Sequence, residues 1–427
     1  MIAYYIPSIK TSLIFSLCLF PMIAIYAIND TIYNKKKLTL SGFIKYDAFF
    51  DSRQVAGARE NYLALYPKNI DMDANGEDIN KRNSFHFISI HSRLGLDFPS
   101  FQTLNAHVSS HLEVDFLGNE NQFFTDLNGL RLRHAYIKFN WKTTELIIGQ
   151  YWHPFFVRKT SPKVISINTG IPFQPLSRNP QIRITKMMGS FGLTVLAYSQ
   201  IDFPSTGPNG VSSEYIRNSG IPNFHFRGHY ENDSSTVFAG IGIDYKVIAP
   251  ELFTEANGQR FSSSSEVKSL SAMGFLGLDF KKVNNRTACV LAGNAYDMLM
   301  LGGYAALAPS NTNTGVRDFT NIGTFSAWND FTTSHKMLEF GLFTGYSKNL
   351  GVDEVTGGDL YSRGSNISYV YRFSPRTTIK FKNLSASLEY EYTVAGYGDP
   401  AYDTVGYVTN AAAVANSRIL LSTRYNF

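Results

Sequence analysis

The chain is poor in cysteine and in charge. Two cysteines, Cys18 and Cys289, are spread over 427 residues, and neither stands near another cysteine, so no zinc or CxxC redox site can be built from them. Charged residues make up 17% of the chain and the formal net charge is +5. The longest basic tract is Lys35-Lys36-Lys37, too short for a nucleic-acid footprint. Catalytic signatures are also missing. No GxSxG elbow, HExxH, Walker A loop or GxGxxG in a strand-to-helix setting occurs, so neither an enzyme nor a cofactor is expected. His107 and His111, like His225 and His229, are each four apart on one strand face. That spacing is about 13 Å, too far to share one metal ion. Beyond residue 27 no apolar stretch reaches the ~20 residues of a membrane-spanning helix.

What is present is apolar and aromatic. Hydrophobic residues make up 44% and aromatic residues 14% of the chain, with 33 Phe and 25 Tyr, which excludes a disordered protein. The first 27 residues carry Lys10 as their single charge, then an apolar run from Leu13 that ends at the small residue Ala27. This predicts a secretory signal peptide over 1–27. The run is short for a membrane anchor and Pro21 interrupts it. Apolar residues continue past Cys18, which argues against lipoprotein cleavage there.

The rest of the chain alternates with period two, as strands demand. In 38–52, Leu38, Leu40, Ile44, Tyr46, Ala48 and Phe50 oppose Thr39, Ser41, Lys45, Asp47 and Asp51. Strands are expected at 38–51, 84–98, 102–116, 129–140, 143–152, 180–187, 190–200, 222–230, 235–247, 266–280, 286–299, 321–331, 335–349, 360–373, 377–394 and 417–427. Many exceed the 5–6 residues usual in soluble sandwiches and suit a tilted membrane span of about 9–11 residues. Short turns alternate with long loops. The short ones include Phe98-Pro99-Ser100, Asn140-Trp141-Lys142, Met188-Gly189, Lys282-Val283-Asn284, Thr332-Thr333 and Ser374-Pro375-Arg376. The pattern predicts an all-β, transmembrane, antiparallel up-and-down β-barrel of about sixteen strands, with short periplasmic turns and long external loops. It would occupy 38–427 behind a short periplasmic segment, 28–37. The last strand ends on Phe427. Outer-membrane lipid and lipopolysaccharide are the expected surroundings.

A barrel this wide encloses water, so the inward face is expected to be polar. Lys45, Asp47, Asp51 and Arg53 are placed inward from the first strand, and Phe87, Ser89, His91, Arg93 and Asp97 from the second. Arg131 and Arg133 follow from the fourth, Arg183 from the sixth and Arg227 from the eighth. The segment 153–179 carries His153, Arg158, Lys159, Lys163 and Arg178, four prolines and no Asp or Glu. Folded inward, it would form a basic constriction that focuses its field on anions; folded outward, it would meet lipopolysaccharide or a neighbouring subunit. Function is therefore expected to be passive diffusion of small hydrophilic solutes with an anion preference. Two other readings stand beside it: a barrel used as surface adhesin or structural protein through its loops, and a soluble secreted glycan-binding β-protein.

Four segments, SGFIKYDAFFDSR (41–53), SRLGLDF (92–98), LRLRHAYIKF (130–139) and LIIGQYWHPF (146–155), resemble the DcaP-like outer-membrane porins. The likeness is densest in the first third of the chain, with SLEYEYTVAGYGD (387–399) as a late echo. It implies a sixteen-stranded, trimeric, passive channel favouring anions such as dicarboxylates. The matching positions implied to carry that preference are Lys45, Arg53, Arg93, Arg131 and Arg133. It also implies that the final strand, ending at Phe427, is presented to the barrel-assembly machinery. The family's frequent N-terminal coiled coil has no counterpart in 28–37, so a homotrimer is expected to rest on barrel contacts.

Overall fold

The computed structural model describes residues 37–118, 129–333, 335–400 and 408–427. The expected signal peptide, and all of 28–37 except Lys37, lie outside the described residues. Sixteen strands form one closed antiparallel barrel. They are β1 (Thr39–Asp51), β2 (Ser84–Ile88 continued by Arg93–Thr103), β3 (Ala106–Asp115), β4 (Arg131–Asn140), β5 (Thr144–Trp152), β6 (Arg178–Met188), β7 (Phe191–Tyr198) and β8 (Asn223–Glu231). The second half comprises β9 (Val237–Ile248), β10 (Val267–Asp279), β11 (Val283–Gly293), β12 (Phe319–Thr333), β13 (Leu338–Gly351), β14 (Ile367–Phe381), β15 (Leu384–Pro400) and β16 (Val408–Asn426). Closure pairs β1 with β16, from Phe43 opposite Asn426 to Asp51 opposite Arg418. Gly42 and Phe427 exchange two backbone hydrogen bonds at the seam, each 3.2 Å. No sheet edge is left there, which is what a hydrocarbon solvent requires.

The outward residues are apolar and uncovered. Ile44, Phe85, Phe87, Ile241, Leu270, Leu291, Ile419 and Leu421 are all exposed, Ile241 at 68%. A continuous apolar girdle of this kind is unstable in water and stable in lipid. It overturns the soluble glycan-binding reading and makes the chain an integral outer-membrane protein. Phe87 belongs to this girdle and not to the lumen: it sits opposite Ala48 and stacks on the outward Tyr46. The break between the two parts of β2 shifts the inward alternation past it, and His86 turns inward onto Phe49.

Two expected turns are strand interior, and a third, Thr332-Thr333, forms the last two residues of β12. Pro99 lies inside β2 at a register irregularity between Phe98 and Phe101, and the chain reverses at Leu104-Asn105, both at positive φ (51° and 56°), as a two-residue hairpin turn needs. Pro375 lies inside β14 opposite Leu342, and the reversal comes at Lys382, φ 52°. Proline cannot donate to the ladder, so it reads as a turn; a long strand tolerates one lost bond. β14 therefore runs later than expected, β16 starts earlier, and 294–299 leaves the wall of β11.

Among the described residues, three loops send long segments into the lumen. The first loop contains a hairpin, Val55–Ala58 with Leu63–Pro67. The third, 153–177, crosses the barrel. The sixth, 294–318, carries Met298 to Leu301 inward. Tyr62, Leu65, Phe155, Ile171, Phe173 and Met300 from these loops bury together with Trp328, Phe343 and Val370 of the wall. Apolar side chains inside a polar-walled barrel thus find their cover in one another.

Candidate functional site: a basic strip on one wall of the lumen

Strand alternation aims Lys45, Asp47 and Asp51 of β1 inward, and the loops then cover them. Asp51 accepts from Arg418 Nε and Nη2 at 2.8 and 2.7 Å. The same guanidinium donates to the carbonyls of Asn61 and Tyr62 in the first loop. Asp47 accepts from the Tyr62 hydroxyl and pairs with Lys45 at 2.9 Å, while Lys45 Nζ reaches the Ile165 carbonyl of the third loop at 2.8 Å. Arg53 clamps the far end of the first loop through Asp78 (2.6 Å) and the carbonyls of Lys68 and Asn69 (both 2.8 Å). That contact holds the Asp78 carboxyl below the usual range, the Arg53 hydrogen bond being the largest cause.

The carboxylates of β12 and β15, on the wall that meets β1 through β16, are covered in the same way. Glu389 of β15 accepts from Ile165 N (2.6 Å) and Ser166 N (3.2 Å), and Glu391 from Asn168 Nδ2 (2.7 Å). Asp330 of β12 accepts from Lys163 N (2.9 Å) and Arg376 (3.0 Å). Arg372 donates to Ile171 O and Leu65 O, both 2.9 Å. Asp47, Asp51, Asp330 and Glu389 are 0% exposed and Glu391 is 2% exposed, so the loops remove these carboxylates from any passing solute.

The wall from β2 to β8 is basic. Arg59 of the first loop, Arg93 of β2, Arg131 and Arg133 of β4 and Arg178 of β6 line a narrow chamber of about 40 Å³ with Trp152 and Leu176. Arg131 grips Asp115 through Nε and Nη2 (3.0 and 2.8 Å). Arg133 bonds Glu113 (2.6 Å) and Asp115 (2.9 Å), Arg178 bonds Asp202 (2.6 Å), and Arg93 stands 3.6 Å from Glu113. Among the described residues, Arg93, Arg131, Arg133 and Arg178 thus share Glu113, Asp115 and Asp202. Arg133 and Arg178 also lie over the Trp152 ring at 5.6 and 5.1 Å, which fixes their planes.

At the short-turn end a separate cavity of about 720 Å³ is lined by Arg158, Lys159, Arg183 and Arg227. Lys159 is neutralised by Glu231, 2.5 Å away, and Arg158 is exposed. Arg183 donates to Trp152 O (2.8 Å) and Arg227 to Pro154 O (3.2 Å). Neither makes an ion pair with a carboxylate among the described residues, and the Nε of each is buried without a partner.

The third-loop residues do not act as one set. His153 is buried, accepts from Phe155 N at Nδ1 (3.2 Å) and meets Tyr198 OH at Nε2 (2.9 Å). Burial pushes its pKa down to about 3, so it contributes no charge at neutral pH. Arg178 is the first residue of β6 rather than part of the loop, and Lys163 is exposed while its backbone N–H serves Asp330. Arg59, Trp152 and Asp202 escaped the sequence reading. The apolar run Leu63-Ala64-Leu65-Tyr66 inside an Asn/Asp-rich loop is the signal that would have turned the first loop, and Arg59 with it, inward.

No protein-family model matches the chain, and no curated protein sequence matches it. Solved structures do. The outer membrane channel DcaP of Acinetobacter baumannii is 17% identical, with TM-score 0.66 over 91% of this chain and 97% of that one. The anion-selective porin from Comamonas acidovorans is 11% identical, with TM-score 0.51 over 92% and 99%. OmpF of Salmonella typhi is 13% identical, with TM-score 0.50 over 93% and 99%. The chain has the sixteen-stranded fold of the DcaP-like and related outer-membrane porins.

Proposed function

We propose that the protein is a passive diffusion porin for small hydrophilic solutes that favours anions, dicarboxylates among them. The observation that carries this is the sorting of charge by the folded loops. Carboxylates of β1, β12 and β15 are spent on loop contacts, whereas the arginines of β2, β4, β6 and β8 line the remaining cavities. Low-dielectric walls strengthen the field of such a strip on a passing ion. Lys45, Asp47, Asp51 and Arg53 act as loop anchors in this reading. Arg93, Arg131, Arg133, Arg183 and Arg227 line the route, with Arg178, Arg158 and Lys159 along its edge. A homotrimer, as in the trimer form described for OmpT of Vibrio cholerae, is the proposed assembly. Lipid and lipopolysaccharide surround it, and Phe427 addresses the barrel-assembly machinery. The test is a planar-bilayer recording under a salt gradient: an anion-selective reversal potential is expected, and a cation-selective one refutes the preference.

One observation favours a second reading, a barrel serving as adhesin or structural protein. Three loops bury a shared apolar cluster inside the lumen, and absence of conductance in the same recording would assign the protein to that role.

A further inference from the structure

The two basic cavities differ in what they can hold. The upper chamber, about 40 Å³, has room for little more than an ion or a single carboxylate head. The lower cavity, about 720 Å³, has room for a whole organic molecule. Its charge is also less compensated. The upper arginines are tied to Glu113, Asp115 and Asp202, but Arg183 and Arg227 use carbonyl and hydroxyl partners. Arg183 is 7% exposed, and its buried Nε and that of Arg227 lack acceptors. Glu145 lines the same cavity but pairs with neither guanidinium group directly, and partly buried guanidinium groups without a directly paired carboxylate favour an anion that reaches them. The same cavity has an apolar side formed by Tyr151, Phe156, Val157 and Phe238. Arg183 lies over the Tyr151 ring at 5.1 Å, and Phe156 stacks on Trp152 at 4.0 Å, so these aromatic faces are held in place.

We propose that Arg183 and Arg227 form a distinct binding station for an organic anion that carries a carboxylate on an apolar, preferably aromatic, body. The carboxylate meets the two guanidinium forks, and the body lies against Tyr151, Phe156 and Phe238. This inference rests on the anion-route reading above and adds a solute class and a place to it. The station opens at the short-turn end, so a ligand reaches it from the periplasmic side.

The test is block of chloride current by benzoate and by acetate, which carry the same charge and differ in the ring. Each is added to one side of a bilayer holding the intact protein. In the wild type, benzoate blocks at a concentration about tenfold or more below acetate, as burial of an aromatic ring implies, and more strongly from the periplasmic side. In Arg183→Gln/Arg227→Gln the half-blocking benzoate concentration rises about tenfold or more, since charge-assisted hydrogen bonds are lost. In Phe156→Ala the benzoate-to-acetate difference shrinks while acetate block stays. Heat-modifiable migration confirms that each variant is a folded barrel. An anion-selective wild type that benzoate and acetate block equally, or a folded double variant with unchanged block, overturns the station alone. A cation-selective wild type overturns the anion-route reading beneath it.

Discussion

Removing Arg131 and Arg133 together tests the charge-sorting argument most directly. Among the described residues the upper chamber sets Arg93, Arg131, Arg133 and Arg178 beside Glu113, Asp115 and Asp202, so Arg131→Ala/Arg133→Ala leaves Arg93 and Arg178 against those three carboxylates. At ~6 Å and bulk-water dielectric, each charge acts on a passing ion with about 0.7 kcal/mol. Two charges come to about 1.4 kcal/mol, or about tenfold on the anion alone. Cations gain what anions lose, so the anion-to-cation permeability ratio falls by about a hundredfold without screening and by roughly tenfold at physiological salt. A second effect acts in the same direction. Asp115 loses both guanidinium groups that grip it and keeps the Leu117 N–H at 3.3 Å, so it changes from a neutralised partner into a lining charge. Adding Asp115→Asn to the double variant should therefore restore part of the lost anion preference. Reversal potentials under a potassium chloride gradient measure all three proteins. A permeability ratio unchanged within about twofold in a folded double variant would refute the reasoning, because that is smaller than one screened charge.

Three further outcomes follow from other contacts. Glu389→Ala removes the acceptor for Ile165 N and Ser166 N, bonds worth roughly 1.5–3 kcal/mol each; trypsin should then cut the third loop at Arg158, Lys159 or Lys163 faster than in the wild type, with the barrel intact. Ile241→Lys places a charge in mid-span on the lipid face and should cost about 2–4 kcal/mol in urea unfolding from vesicles; no loss of stability would contradict the outward assignment of that residue. The Arg53–Asp78 clamp gives a pH dependence. The Asp78 pKa is depressed in the folded protein, so its contribution is present above the ordinary carboxylate range and is lost as pH falls through the depressed value. Protease access to 68–82 should rise at acid pH, and Asp78→Asn should show the raised access already at neutral pH.

The barrel was legible because its evidence is local. Period-two alternation such as Ile44, Tyr46 and Ala48 against Lys45 and Asp47 fixes which side of a strand meets lipid, and the loop lengths fix the order of strands. Errors came where one residue type speaks for two structures. Pro99 and Pro375 look like turns but stand in strands, because a single missing donor is affordable in a long ladder. Phe87 failed for a different reason: a break in β2 resets the alternation, and four residues without pairing leave no periodic trace. The lumen was less legible than the wall. Inward direction was readable for Arg131, Arg183 and Asp51 alike, yet Asp51 serves a loop while Arg183 faces a cavity. That difference depends on contacts between residues hundreds of positions apart, which no local pattern encodes.

The Asp51–Arg418 pair joins residues 367 positions apart across the seam that closes the barrel, and the same guanidinium holds the Asn61 and Tyr62 carbonyls of the first loop. This makes the contact conditional on closure. Until the last strand zips against the first, Arg418 has neither its carboxylate nor its carbonyls, and the first loop lacks this dock. This anchor of the first loop therefore exists only in a closed barrel, and its presence reports that the wall is complete.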